Sequence, residues 1–420
     1  MNKNRRVVLK SLAAAAAMPT LGVSGFAKAA QMRTTDSILR DATSSGKVPG
    51  IVAAVTNSKE TIFSAAHGLR GLGETLPVKS DTVFYIASMT KPVTSVAAMQ
   101  LVEQGKIKLD EPVGKFVPEL ANLNVLEGYS ADGTPKLRPA KTQVTLRQLL
   151  THTSGFAYDI WDEDILKYYK VAGLPPLGGA TRRALDLPLI FDPGTDWMYG
   201  INLDWTGLVI EAISGMRLGE YLEHNVTGPI GMKDTAFVIR PDMRERLSKM
   251  HSRNQDGQLS VIPFEFKQDA EVQSGGAGLY STTQDYLKFM RMILNKGRAD
   301  GVQLLSEKTM TEHIYKNAME DSKVRVHKLK TAIPFISNDA EFFPGVEKTW
   351  STAFMINNAQ AFTGRSAGSL SWAGLANTYF WIDPKKDIAG VAMMQLLPFA
   401  DKTSLDIFYD FEKSVYSNRA

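Results

Sequence analysis

Ser88 and Lys91, in the stretch "ASMTKPVTS" from Ala87 to Ser95, have the types and spacing for nucleophilic chemistry. Positions three apart share a face of a helix, so the lysine amine can reach back to the hydroxyl. A serine attacks only beside a group that takes its proton. A lysine does so once its pKa falls from ~10.4 towards ~7, which takes about 4 to 5 kcal/mol of burial and neighbouring positive charge. The apolar flank "VFYIA" and the run after Pro92 offer that burial. An internal control, "SSGK" at Ser44 to Lys47, has the same spacing in a polar turn before Pro49-Gly50. From spacing and flanks alone, a helix-capping Ser88 with a solvating Lys91 stands level with nucleophile and base.

A second serine competes. "GRSAG", Gly364 to Gly368, matches the G-x-S-x-G elbow, whose triad needs a histidine further along the chain and a helix after the serine. No histidine follows Ser366, and the next residues read as strand, so Ser366 is expected in a loop. The six histidines form no H-E-x-x-H or other close spacing, so no metal is expected. The absence of cysteine excludes disulfides and thiol catalysis. No organic cofactor is expected either.

The elements that would position Ser88 begin after a leader. Residues 1–29 combine a basic start, an alanine-rich apolar run and Ala27-Lys28-Ala29, which predicts an export signal. Arg5-Arg6 resembles the twin-arginine type, and a periplasmic or secreted product follows. The leader carries five cations and no acid, so the net charge of +4 leaves about −1 on residues 30–420. Neither a nucleic-acid partner nor stable membrane insertion is implied.

Within 30–420, "TDSILRDATSSG" has helical periodicity and "GIVAAVTNSKETIFSAAHG" reads as two strands around Asn57-Ser58-Lys59-Glu60. From about 90 to 240 the pattern becomes mostly helical, and a helix from near Ser88 runs to its stop at Gly105. "TTQDYLKFMRMILNKG" is a further helix. "WSTAFMINN", "ANTYFWID" and "IAGVAMMQLL" read as strands, and "TSLDIFYDFEKSVYS" closes as a helix. Strands at both ends with helices between predict one α+β domain, its antiparallel sheet assembled from both chain ends and flanked by helices, with a mostly helical insertion.

"SMTK" at a helix start, "LLTHTSG" at Leu149 to Gly155, "PGTDWMYG" ending at Tyr199-Gly200, "GGAGLYSTTQDYLKF" and "SWAG" follow one another along the chain. In this order they resemble the serine β-lactamase-like hydrolases, which include class C β-lactamases, D-Ala-D-Ala carboxypeptidases and family VIII carboxylesterases. The resemblance implies that Ser88 is the acylated nucleophile, Lys91 its partner, and Tyr199 a tyrosine that helps move the proton. It gives His152 a structural place and puts the oxyanion between the backbone N–H groups of Ser88 and Leu375. Two departures bear on substrate. The lactamase Tyr-x-Asn has Ile201 in its third position, with Asn202 one residue late, and the Lys-Thr-Gly place holds Trp372-Ala373-Gly374. Trp372 and Gly374 are thus expected to shape the pocket, Trp372 as an apolar wall, and the Trp-x-Gly pattern resembles the esterase branch. The implied activity is cleavage of a small carboxylic ester through an acyl-enzyme. The alternatives are β-lactamase, carboxypeptidase or acyltransferase activity on the same scaffold, or a non-catalytic cell-wall binding protein.

Overall fold

Asn57 folds the first hairpin by accepting hydrogen bonds from the backbone of Lys59 and Glu60, both at 2.8 Å, an Asx turn. The turn joins strands β1, Gly50–Thr56, and β2, Thr61–Gly68. The computed structural model describes residues 34–321 and 323–417, so the leader read at 1–29 lies outside them. The chain's later part adds β3, Lys348–Trp350, β4, Met355–Asn357, β5, Leu370–Gly374, β6, Thr378–Asp383, and β7, Ile388–Met393. These seven form one antiparallel sheet in the order β3-β4-β5-β6-β7-β1-β2. The sheet is therefore drawn from both ends of the chain, as the pattern predicts.

Alternation along β6 explains why this strand is buried on both faces. Tyr379 and Trp381 face Phe408 and Phe411 of the closing helix α6, while Phe380 between them faces Tyr286 of α5. Here α1 is 34–44, α2 Thr90–Glu103, α3 Leu146–Thr151, α4 Asn202–Ser214, α5 Thr283–Leu294 and α6 Lys402–Tyr416. Helices α2 to α4 lie in the region expected to be mostly helical, but loops and short 3-10 turns make up much of it, because its Gly- and Pro-rich segments interrupt the helices. That region also carries an unforeseen hairpin, Asn124–Tyr129 with Pro135–Pro139, turning at Asp132-Gly133. Its Asp-Gly turn signal was present, but only Val125 and Leu126 of its strands are buried, and the two are adjacent, so there is no apolar alternation. "WSTAFMINN" likewise divides into two strands, because the Ser351 hydroxyl accepts from the backbone of Ala353 and Phe354 and turns the chain.

The β4–β5 loop is tied down by a buried ion pair. Arg365 and Glu412 of α6 are 1% and 0% exposed and meet through two bonds of 2.5 and 2.6 Å, with Thr363 donating to the same carboxylate. Ser366 follows directly, and its backbone N–H donates to Asp383 at 2.8 Å, so this serine belongs to a loop as expected. Glu412→Gln strands the guanidinium in the interior, at an expected cost of about 3 to 5 kcal/mol of stability, measurable by denaturant unfolding.

Candidate active site

The nucleophile candidate sits on a forced turn. Phe84–Tyr85 pairs with Tyr280–Ser281, and Ile86 N–H reaches Leu279 O at 3.1 Å. Ala87 then adopts φ +44°, a left-handed conformation that costs a non-glycine residue roughly 1 kcal/mol or more. A 3-10 turn over Ala87–Met89 follows and runs into α2. The result separates two neighbours: Ser88 stays partly accessible, whereas Lys91 is 1% exposed. Because α2 is buried on nearly every face, its second residue goes into the interior with it. Ser44, by contrast, is exposed at the end of α1, as is Lys47.

Lys91 Nζ contacts Gly276 O at 2.7 Å, Ser88 Oγ at 3.1 Å and Tyr158 OH at 3.2 Å. All three are neutral acceptors. Burial pushes the lysine pKa down to about 7, with the negative charge of Asp204 pulling the other way.

Tyr199 also borders the amine, its ring centre 4.5 Å from Nζ. Its place is set by close backbone contact: any Cβ on the next residue, Gly200, would sit 2.2 Å from Phe156 O. His152, Tyr158, Trp161 and Trp372 pack around the Tyr199 ring at 4.8 to 5.4 Å. The Tyr199 hydroxyl hydrogen-bonds with Ser88 and accepts from Trp372 Nε1 at 3.0 Å; burial nonetheless raises its pKa, so the phenol keeps its proton.

Trp372 is thus more than the apolar wall expected from sequence. It is 5% exposed, wedged between Tyr199 and Trp350, and its one polar atom is spent on Tyr199. Asn202 is turned away from the reacting groups. Its amide donates to His152 Nδ1 at 2.9 Å and its carbonyl accepts from Ser154, while Ile201 is fully buried. His152 caps α3 with φ +60°, and burial holds its pKa well below the ordinary value, so it stays neutral.

Strand β5 supplies the last piece. A Cβ at Gly374 would fall 2.3 Å from Ile86 O and 2.2 Å from Thr378 Oγ1, so only glycine lets the strand press against the segment leading into Ser88. Leu375, the next residue, is carried to the same place and packs on the cluster that contains Ala87.

A buried amine near neutrality beside a reachable serine, with a protonated tyrosine hydrogen-bonded to the same serine, can run acyl transfer. The sequence model of the Beta-lactamase family matches residues 35–412. The chain belongs to the beta-lactamase family. It is 30% identical over 399 residues to monacolin J acid methylbutanoyltransferase of Aspergillus terreus, covering 91% of this chain and 95% of that one. Lovastatin esterase of Penicillium rubens is 30% identical over 398 residues, covering 91% and 97%. Among solved structures, unliganded simvastatin synthase from Aspergillus terreus superposes with a TM-score of 0.80 at 29% identity, over 92% of this chain and 98% of that one. The relatives of this enzyme of the serine β-lactamase fold thus include both acyltransferases and an esterase.

Sequence reasoning missed Tyr158, Asp204 and the Gly276 carbonyl. Tyr158 follows the "LLTHTSG" motif by three residues, and its position there was the one available signal. Asp204 reads as an ordinary acid in the first turn of α4. Gly374→Ala should displace β5 and cost about 1 to 3 kcal/mol of stability, checked by thermal or denaturant unfolding beside the wild type.

Proposed function

We propose that the protein cleaves small neutral carboxylic esters through a Ser88 acyl-enzyme, which passes its acyl group to water or to an alcohol. The observation that carries this reading is the 3.1 Å contact between a partly accessible Ser88 and a fully buried Lys91 whose pKa is about 7. At neutral pH much of the lysine is the free amine, so it can take the Ser88 proton as Oγ bonds to the ester carbonyl carbon. The carbonyl electron pair moves to oxygen, where the N–H groups of Ser88 and Leu375 would stabilise it. When the intermediate collapses, the C–O bond to the alcohol breaks and the leaving oxygen takes the proton that the Lys91 ammonium holds on its Ser88 side, with the Tyr199 hydroxyl beside Ser88 as the neighbouring hydrogen-bond donor. Water or a second alcohol then attacks the acyl-enzyme by the same steps in reverse. One intermediate thus accounts for relatives named as an esterase and as a methylbutanoyltransferase.

Two features favour esters over β-lactams and peptides. The position of the lactamase lysine holds Trp372, whose N–H is committed to Tyr199 and offers no charge to a substrate carboxylate. A charged hydrogen bond there would contribute about 1.5 to 3 kcal/mol. The displaced asparagine, Asn202, is consumed by His152 and Ser154.

Ser88→Ala should abolish hydrolysis of p-nitrophenyl acetate and butyrate, and a fluorophosphonate should add once, on Ser88, by intact and peptide mass. Turnover of a cephalosporin faster than of p-nitrophenyl butyrate would overturn the ester reading. Because the reactive form is the neutral amine, kcat/KM should rise with pH through about 7 and level off above it. A flat profile from pH 5 to 9 would remove Lys91 as the base. Trp372→Phe keeps the ring but loses the donor to Tyr199, so kcat should fall about tenfold with little change in KM.

A further inference from the structure

The hydrogen bonds behind Lys91 form a directed chain that starts at a carboxylate. Asp204 is 4% exposed, in the first turn of α4, where the helix N-terminus favours negative charge. It accepts from Ser274 Oγ at 2.5 Å, from Gly276 N–H at 3.2 Å and from Tyr158 OH at 3.2 Å. All three partners are donors. The Tyr158 proton therefore points at Asp204, which leaves the Tyr158 oxygen to accept from Lys91. Gly276 is gripped at both ends, its N–H by Asp204 and its carbonyl by Lys91.

We propose that Asp204, acting through Tyr158 and Gly276, is the positioning residue that aims the Lys91 amine at Ser88. The proposal rests on the reading of Ser88 and Lys91 as nucleophile and base. A neutral amine has two N–H donors and one lone pair. Tyr158 and Gly276 take the two donors, because both are held as acceptors, and the lone pair is left for the Ser88 proton. If Tyr158 were free to rotate, its proton would compete for that lone pair and leave the serine without a base. This is the orienting third group that a nucleophile and its base require.

The electrostatic consequence points the same way. The titratable groups gathered around the amine are Tyr158, Tyr199, His152 and Asp204, with Tyr85 coupled to Asp204 and Tyr199. Burial raises the tyrosines and lowers the histidine, so those groups stay neutral. Asp204 remains as the negative charge that favours the lysine's protonated form, against desolvation.

The test measures kcat and KM for p-nitrophenyl butyrate from pH 4 to 10 in the wild type, Asp204→Asn, Tyr158→Phe and the double variant. An asparagine amide can donate to Tyr158 and release its proton towards Lys91. Asp204→Asn should therefore lower the plateau kcat about tenfold or more, leave KM within about threefold, and move the midpoint of the rise to lower pH. A merely structural lesion would lower the plateau without moving the midpoint. Tyr158→Phe should lose kcat to a similar degree, and the double variant should lose no more than about twofold beyond the worse single one. Multiplicative losses, or an Asp204→Asn enzyme with unchanged plateau and midpoint, would overturn the proposal. Where Asp204→Asn does not fold, a normal kcat in Tyr158→Phe overturns it equally. Fluorophosphonate labelling of wild-type Ser88 separates the two readings: without an adduct both fall, and with one only the role of Asp204 is in question.

Discussion

Everything at the candidate site follows from one cost, that of keeping the Lys91 amine out of water. An ammonium in that position would lose its hydration and meet only neutral oxygens, so the equilibrium shifts towards the free amine near pH 7. A closer carboxylate would cancel the effect by pairing with the charge. Asp204 stands one hydroxyl further away, near enough to order the hydrogen bonds and too far to form an ion pair. The aromatic wall of Tyr199, Trp372, Trp350 and Trp161 keeps the amine dry. The same burial that frees the lysine lone pair holds the Tyr199 proton in place, and so separates the roles of two groups that come from different motifs of the chain.

Precision at this site is borrowed from the sheet. Strand β5 can lie against the Ser88 turn because residue 374 has no side chain, and β5 is held in register by five pairs with β6. Strand β6 is clamped between α5 and α6 by side chains on alternate faces. The backbone strain at Ala87 persists because pairing before it and helix burial after it leave the chain no other course.

Much of this was legible in residue order, for reasons that differ by feature. The sheet was readable because β1, β6 and β7 are short apolar runs bounded by turn residues, and the hairpin at Asn57 because the turn chemistry is local. Ser88, Lys91 and Tyr199 stood out because the ordered motifs of a family carry them, and the structure brings the three side chains together. The partners of Lys91 did not stand out. Tyr158 and Asp204 are 67 and 46 residues from their respective partners Lys91 and Tyr158, and nothing local distinguishes Asp204 from a helix-capping acid. The hydrogen bond from Trp372 to Tyr199 was not legible, since a residue type reveals an indole but not where its N–H points. The hairpin at 124–139 was lost for the opposite reason, since its buried residues, Val125 and Leu126, are too few and too close to leave an alternating pattern.

The position of β1 between β2 and β7 has a consequence for the life history of the chain. Its seven buried residues have no second neighbour until Ile388–Met393 has been synthesised, more than three hundred residues later. Until then the first hairpin presents an open apolar edge, and the long loop closure delays its burial. The turn that carries Ser88 depends in turn on β5, which also arrives late. The turn at Ser88 and the sheet that braces it are therefore completed together, once the two ends of the chain have met.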